Sequence, residues 1–421
     1  MRVLIAGAGI GGLSAALALH ARGIEARVVE AAAGIAPLGV GINVLPHAMA
    51  VLDQLGLGRE IAAAGVATRA LLYFNRHGQR IWSEPRGIAA GYPVPQVSIH
   101  RGRLQRVLLE AVRERLGAGA IRSGLRLEAF EPDGERAVRV WLAARTGGPR
   151  AAEAADVLIA ADGIHSAARG QCYPGEGLPR WSGAILWRAT SRAAPFLDGA
   201  SMIMAGSRRQ KFVAYPIGTP GEDGLCLVNW VAELDRSGSP PLAREDWNRR
   251  GDPGDFLPAF ESWRFPWLDV PALIRAAQAV YEFPMVDRDP LPRWTFGRMT
   301  LLGDAAHPMY PIGSNGASQA ILDARALAEA LSEESDPSAA LARYDAERRP
   351  ATAEIVFSNR GMGPELVMQL AEERAPGGFA RVEDVFAPGE LEEIAARYKQ
   401  VAGFDPERVR AAGERSRAPA G

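Results

Sequence analysis

The run Gly7-Ala8-Gly9-Ile10-Gly11-Gly12 constrains this chain more tightly than any other stretch, because of what flanks it. Before it stands Arg2-Val3-Leu4-Ile5-Ala6, an apolar run suited to a buried parallel strand. After it, positions 13–21 fit a helix stopped at Gly23, and Ala26-Arg27-Val28-Val29 fits a second strand ending at Glu30. That order points to an α/β fold built on a parallel sheet. Gly7 permits the tight turn, Gly9 lets the backbone approach a pyrophosphate, and Gly12 brings helix and strand together. A phosphate would meet free N–H groups at the positive end of the helix. Glu30 is placed to accept hydrogen bonds from ribose hydroxyls. The competing reading is a glycine-rich turn in another α/β fold.

The uncharged run 3–19 imitates a signal peptide or short anchor, but four glycines would weaken a membrane helix at its middle. A cytoplasmic protein with no membrane partner is expected. With 421 residues the chain can bury a large core, as two domains. A net charge of −1 gives no footprint for nucleic acid or an anionic membrane. Lys211 and Lys399 are the only lysines. Cys172 and Cys226 are too far apart in sequence for a metal pair, and the six histidines show no ligand spacing. No metal site is expected.

Two further strands repeat the logic of the first. Val157-Leu158-Ile159-Ala160 runs into Ala161-Asp162-Gly163, and Met299-Thr300-Leu301-Leu302 runs into Gly303-Asp304. Strands ending in polar groups should line one edge, where ligands of open α/β sheets bind. Asp304 would accept from ribityl or ribose hydroxyls, or else cap a helix. Beyond it, Gly313-Ser314-Asn315-Gly316 opens an amphipathic helix over 317–331, whose N–H groups would face the negative edge of a reduced flavin. The first glycine turn does not recur, so one dinucleotide site of this type is expected.

Together these residues resemble the FAD-dependent aromatic monooxygenases of the para-hydroxybenzoate hydroxylase type, and within them the phenazine-modifying branch. The likeness runs over nearly the whole chain. The run Gly7, Gly9, Ile10, Gly11 and Gly12 with Glu30 matches the ADP-binding turn, and Leu38-Gly39-Val40-Gly41-Ile42-Asn43 the loop against the flavin. Arg101 matches an FAD-contacting arginine, Asp162-Gly163 a fingerprint shared by FAD and NAD(P)H, and Gly303-Asp304 the second FAD fingerprint. Pro311, Gly313, Ser314, Asn315, Gly316 and Ala317 fall beside the flavin, with Pro311 fixing backbone geometry there. The stretches Tyr344 through Pro350 and Asn359 through Pro364 also resemble this branch. Asn315, Ser318 and Leu322-Asp323 depart from the residues many relatives carry, and no flavin-loop arginine stands near Leu38.

The resemblance implies that NAD(P)H reduces FAD and that O2 then forms a flavin C4a-hydroperoxide, which hydroxylates a small electron-rich aromatic substrate. The protein must seat that substrate and exclude water. Four strand-like runs between 181 and 285 could roof it, and Trp187, Met204, Phe212, Tyr215 and Tyr310 are the lining candidates. His307 is read as packing beside the cofactor, and no general base is assigned. Other readings are a flavin reductase or dehydrogenase, a halogenase, and a non-catalytic FAD-binding protein. Against the halogenase, its tryptophan signature is missing and no catalytic lysine candidate stands near an active site.

The expected organisation is a Rossmann-like FAD-binding domain (1–72, 98–180, 286–335) interleaved with an antiparallel substrate sheet (73–97, 181–285). Helices from 336 onward would pack across the cofactor domain or support an oligomer, with a disordered tail from 411. A monomer or homodimer is expected.

Overall fold

A computed structural model describes residues 1–34, 39–144, 147, 150–238 and 249–415, with side chains to residue 410. Leu38, within the expected flavin loop, lies outside the described residues. So does 416–421; the tail expected to be disordered from 411 instead begins as part of the helix Pro406–Arg415.

The central sheet runs Thr295–Phe296, Met299–Leu301, Val157–Ala160, Arg2–Ala6, Glu25–Glu30, Ile121–Ser123. All pairs are parallel except the first. Val3 to Ala6 and Val157 to Ala160 are entirely buried, as the uninterrupted apolar runs require of strands covered on both faces. Helices Ile10–His20, Arg101–Leu116 and Gly316–Glu333 cover it, and the antiparallel sheet of Leu125–Asp133, Ala137–Ala144 and Ala151–Ala155 packs into the same core. Register decides what meets at the edge. Ala6 pairs with Ala160 and Val29, and Ala160 with Leu301. The glycine turn, Glu30, Asp162 and Gly303-Asp304 therefore emerge side by side.

A second sheet has seven strands, in the order Ala277–Asp287, Arg180–Ala193, Cys226–Asp235, Gln210–Pro216, Met202–Gly206, Ala70–Phe74, Arg80–Pro85. It is mixed rather than wholly antiparallel, because Ala70–Phe74 pairs parallel with Met202–Gly206. The boundaries drawn at 72 and 285 fall inside strands, since neither position carries a turn signal strong enough to end one. One face of this sheet is an aromatic core: Trp187 stacks on Phe256 at 4.9 Å and Phe212 on Trp230 at 5.9 Å. The other face looks onto the edge of the central sheet.

The C-terminal helices cover that second face. Val367, Met368, Phe386 and Leu391 pack with Tyr73, Met202, Met204, Val213 and Tyr215 of the seven-stranded sheet. The helix Pro337–Arg360 clamps the central sheet: Tyr344 donates to Leu301 O at 3.1 Å, and Asp345 accepts from Trp294 N at 2.7 Å. The chain's end thus joins both sheets.

Candidate active site: one cavity between two sheets

A cavity of about 1100 Å³ runs from the glycine turn to the seven-stranded sheet. Its first third is walled by the glycine turn and Glu30. Gly7 has φ +110°, and a Cβ there would lie 2.3 Å from Ala161 O; a Cβ on Gly12 would lie 2.0 Å from Gly7 O. Gly12 therefore lies behind the cavity wall, joining helix to strand. Gly9 is different: among the described residues nothing stands within 4 Å of the Cβ position, which leaves room for a phosphate. Glu30 accepts from Ala8 N and Ala32 N, each at 2.8 Å, and holds its carboxylate at the wall. Gly7, Gly9, Ile10, Gly11 and Glu30 all line this part.

The middle is built from four separated segments. Val40, Gly41, Arg101, Asp162, Gly303, Asp304, Pro311, Ser314, Asn315, Gly316 and Ala317 line it together. Arg101 N donates to Val40 O at 2.9 Å, so the loop and the helix start share one frame. Asp162 accepts from Ala167 N at 2.8 Å, while burial lifts its carboxyl above the usual range. Asp304 caps no helix: the short turn Gly303–Ala305 has no side-chain cap, and the carboxylate is exposed to the cavity. The helix Gly316–Glu333 likewise lacks a side-chain cap, so its first-turn N–H groups face the cavity for an incoming negative edge. Asn315 is engaged elsewhere, donating to Tyr398 Oη at 2.8 Å. Gly313 has φ +67° and packs beneath Tyr398, where a Cβ would clash at 1.9 Å, so it shapes the loop from behind. These features fit FAD, which the strand-edge carboxylates and the uncapped helix start would hold.

Behind this loop Asp323, one of the residues that depart from many relatives, anchors a buried network. Asp323 accepts from His307 Nε2 at 2.5 Å and from Arg348 Nε at 2.8 Å, and Arg348 reaches Gln319 Oε1 at 2.7 Å. His307 is 3% exposed and does not reach the cavity, which leaves it no part in proton transfer to a ligand there.

The far third is the face of the seven-stranded sheet, where alternation corrects the substrate candidates. Met204 and Tyr215 line the cavity. Trp187 and Phe212 do not: one residue out of phase, they point into the aromatic core, and Trp187 Nε1 donates to Glu282 Oε2 at 3.0 Å. Tyr310 also misses the surface, packed with Phe283, Met285 and Ile312 just behind it. In place of Trp187 the wall presents Leu186 and Arg188; in place of Phe212 it presents Lys211 and Val213. Arg188 donates to Gly41 O at 3.1 Å, and Asn229 accepts from Gly41 N at 2.6 Å, fastening the flavin loop to this sheet. Burial pushes the Tyr215 hydroxyl up to about 12, partly offset by Arg188.

Lys211 belongs to this wall as well, although the sequence reading did not place it at the site. It lines the cavity, bonded to Glu233 at 2.8 Å and Glu365 at 2.5 Å. These three residues escaped sequence reading because they come together from positions far apart in the chain. The one signal was a lysine alternating with large apolar residues in Lys211-Phe212-Val213-Ala214-Tyr215.

The family model described as an FAD binding domain matches residues 1–189 and 280–358. Phenazine 1,6-dicarboxylic acid hydroxylase PhzS of Lysobacter antibioticus is 51% identical, over 85% of this chain and 89% of that protein. The 3-hydroxybenzoate 6-hydroxylase 1 of Aquipseudomonas alcaligenes is 34% identical, over 85% and 87%. A salicylate hydroxylase substrate complex shares the fold, with a TM-score of 0.75 at 22% identity over 100% of this chain and 98% of that one. The chain therefore belongs to the FAD-binding-domain family, as one of its aromatic monooxygenases, drawing on FAD, NAD(P)H and O2.

Proposed function

We propose that the substrate is a fused aromatic carboxylic acid of the phenazine-1,6-dicarboxylate kind, hydroxylated in the far third of the cavity. The observation that carries this reading is Arg188, which stands on the cavity face beside Leu186, Val213, Val231, Met204 and Phe283. Those apolar side chains suit a flat ring, and a guanidinium beside them suits a carboxylate. The identity with a phenazine dicarboxylate hydroxylase, at 51%, supports the same class.

In this reading the glycine turn, Glu30, Arg101, Asp162 and Asp304 hold FAD, and Pro311 with 313–317 orients its ring. Bound FAD supplies the redox chemistry, taking electrons from NAD(P)H and using them to activate O2. Arg188 fixes the ring's position, while Tyr215 and Asn229 hold Arg188 and the Gly41 loop in place. The C-terminal helices pack against Met202, Met204, Val213 and Tyr215 of the cavity wall through Val367, Met368 and Phe386. The division of labour is thus a cofactor part built on the central sheet and a substrate part built on the seven-stranded sheet. Two unpaired cysteines suit a reducing cytoplasm, where we expect a monomer or homodimer.

The test is oxidation of NADH and NADPH with oxygen uptake, run with phenazine-1,6-dicarboxylate, 3-hydroxybenzoate and salicylate under 18O2. The reading expects one labelled oxygen in a phenazine product and much weaker turnover of the single-ring acids. Tight FAD binding with NAD(P)H oxidation but no labelled product from any of them would favour a reductase.

A further inference from the structure

The three charged groups at the far wall are more than an ion pair needs. Lys211 and Glu233 face each other in direct register on neighbouring strands. Glu365 comes from another layer, along a backbone that takes unusual turns to deliver it. Met362 has φ 72°, rare outside glycine, and Gly363 follows at φ 47°, where a Cβ would lie 2.8 Å from the Tyr398 ring. Such a conformation persists only where the surrounding structure over-determines it. This turn brings a second carboxyl to one ammonium, with all three residues at most 5% exposed.

Two carboxylates on one ammonium leave either a buried net negative charge or a shared proton. Burying an unbalanced charge costs several kcal/mol, so the proton is the cheaper state. Burial accordingly lifts the Glu365 carboxyl above its usual range, opposed by Lys211. The other ionisable groups facing it are Glu233, Tyr73 and Tyr398; burial holds both tyrosines protonated. Beyond Tyr73, Arg86 is taken by Glu84 at 2.9 Å. Glu365 thus brings a second carboxyl onto the Lys211 ammonium, in a wall that also carries Arg188 and Tyr215 beside its apolar residues.

We propose that Glu365, set by Lys211 and Glu233, docks a ring heteroatom of the aromatic substrate and shares its proton with that atom. The proposal deepens the substrate reading above and rests on it. The proton moves along the hydrogen bond from the carboxyl oxygen to the heteroatom; the O–H electron pair stays on the carboxylate, where the Lys211 ammonium steadies it. No electrons are transferred. Arg188 would read a carboxylate and Glu365 a ring nitrogen. Arg188 pairs with Val231, and Glu233 stands two residues further along that strand, roughly 7 Å away.

The test uses FAD-loaded protein and calorimetric titration with phenazine-1,6-dicarboxylate and its carbocyclic isostere anthracene-1,5-dicarboxylate, which lacks only the ring nitrogens. Wild type should prefer the phenazine by at least about tenfold, as expected of a hydrogen bond to a charged or proton-sharing group. Glu365→Met should erase that preference, with FAD affinity and melting temperature held, because Lys211 and Glu233 remain a balanced pair. Glu365→Gln keeps an N–H donor but no transferable proton. Phenazine affinity in wild type should weaken as pH rises through the Glu365 titration, and that dependence should vanish in Glu365→Gln. Should the methionine variant fail to fold, the glutamine variant's pH profile decides. An undiminished preference in Glu365→Met, or an unchanged pH profile in Glu365→Gln, overturns the proposal while leaving the substrate class standing. Wild type that binds neither ligand overturns both.

Discussion

The two faces of the seven-stranded sheet are made by the same strands and do opposite things. Residues of one parity, Trp187, Phe212 and Trp230, close a dry aromatic core. Residues of the other parity, Arg188, Lys211, Val213, Tyr215 and Glu233, form the cavity wall, with charge buried where a core would have none. A one-residue step along a strand exchanges a stability role for a binding role. Substitutions on the back face should therefore cost folding, and substitutions at the cavity should cost ligand affinity.

The largest expected effect is on the back face. Phe212→Ala should lower stability by about 3–5 kcal/mol, read by chemical denaturation, because a fully buried ring leaves a cavity. A loss below about 1 kcal/mol would break the contrast between the faces. Asp304→Ala comes next: FAD affinity should fall by roughly 10- to 100-fold, from lost hydrogen bonds to a charged group. The apoprotein's stability should stay within about 0.5 kcal/mol, since Asp304 caps nothing and faces the cavity.

A smaller effect belongs to His47, buried behind the flavin loop, where burial and then Arg348 depress its pKa to about 3. Its folded value lies below its unfolded one, so its contribution is complete above about pH 6.5 and is lost as pH falls toward 3. Between pH 7.5 and 5.5 this group should remove about 1.4 kcal/mol, and His47→Gln should flatten that slope in a melting series. The smallest change should come from Met204→Leu on the cavity wall, below about 1 kcal/mol in stability because volume is kept. Any effect there should fall on ligand affinity, measured by titration.

The glycine-turn end of the cavity was legible because its chemistry is local. Gly7 through Gly12 and Glu30 sit within one strand–helix–strand unit, and Asp162 and Asp304 end strands whose apolar runs announce them. The substrate wall was legible only in part. Strand positions near Met204, Phe212 and Tyr215 could be read, but which parity faced the cavity depends on what packs on each side. Here the helices around Phe256 and Phe260 claim one face and the C-terminal helices the other. The Lys211–Glu233–Glu365 cluster was illegible, because Glu365 arrives through an unusual turn at Met362 that no periodicity marks. Large aromatics drew attention on those strands, yet the smaller and charged neighbours face the ligand.

The most direct test is the crystal structure of the protein with FAD and phenazine-1,6-dicarboxylate. The flavin ring should lie between the Gly41 loop and the segment from Pro311 to Asn315. The phenazine should lie against Val213 and Val231, with a carboxylate at Arg188 and a ring nitrogen at Glu365. Density for the phenazine elsewhere, or seated with no contact to Arg188, would contradict this account.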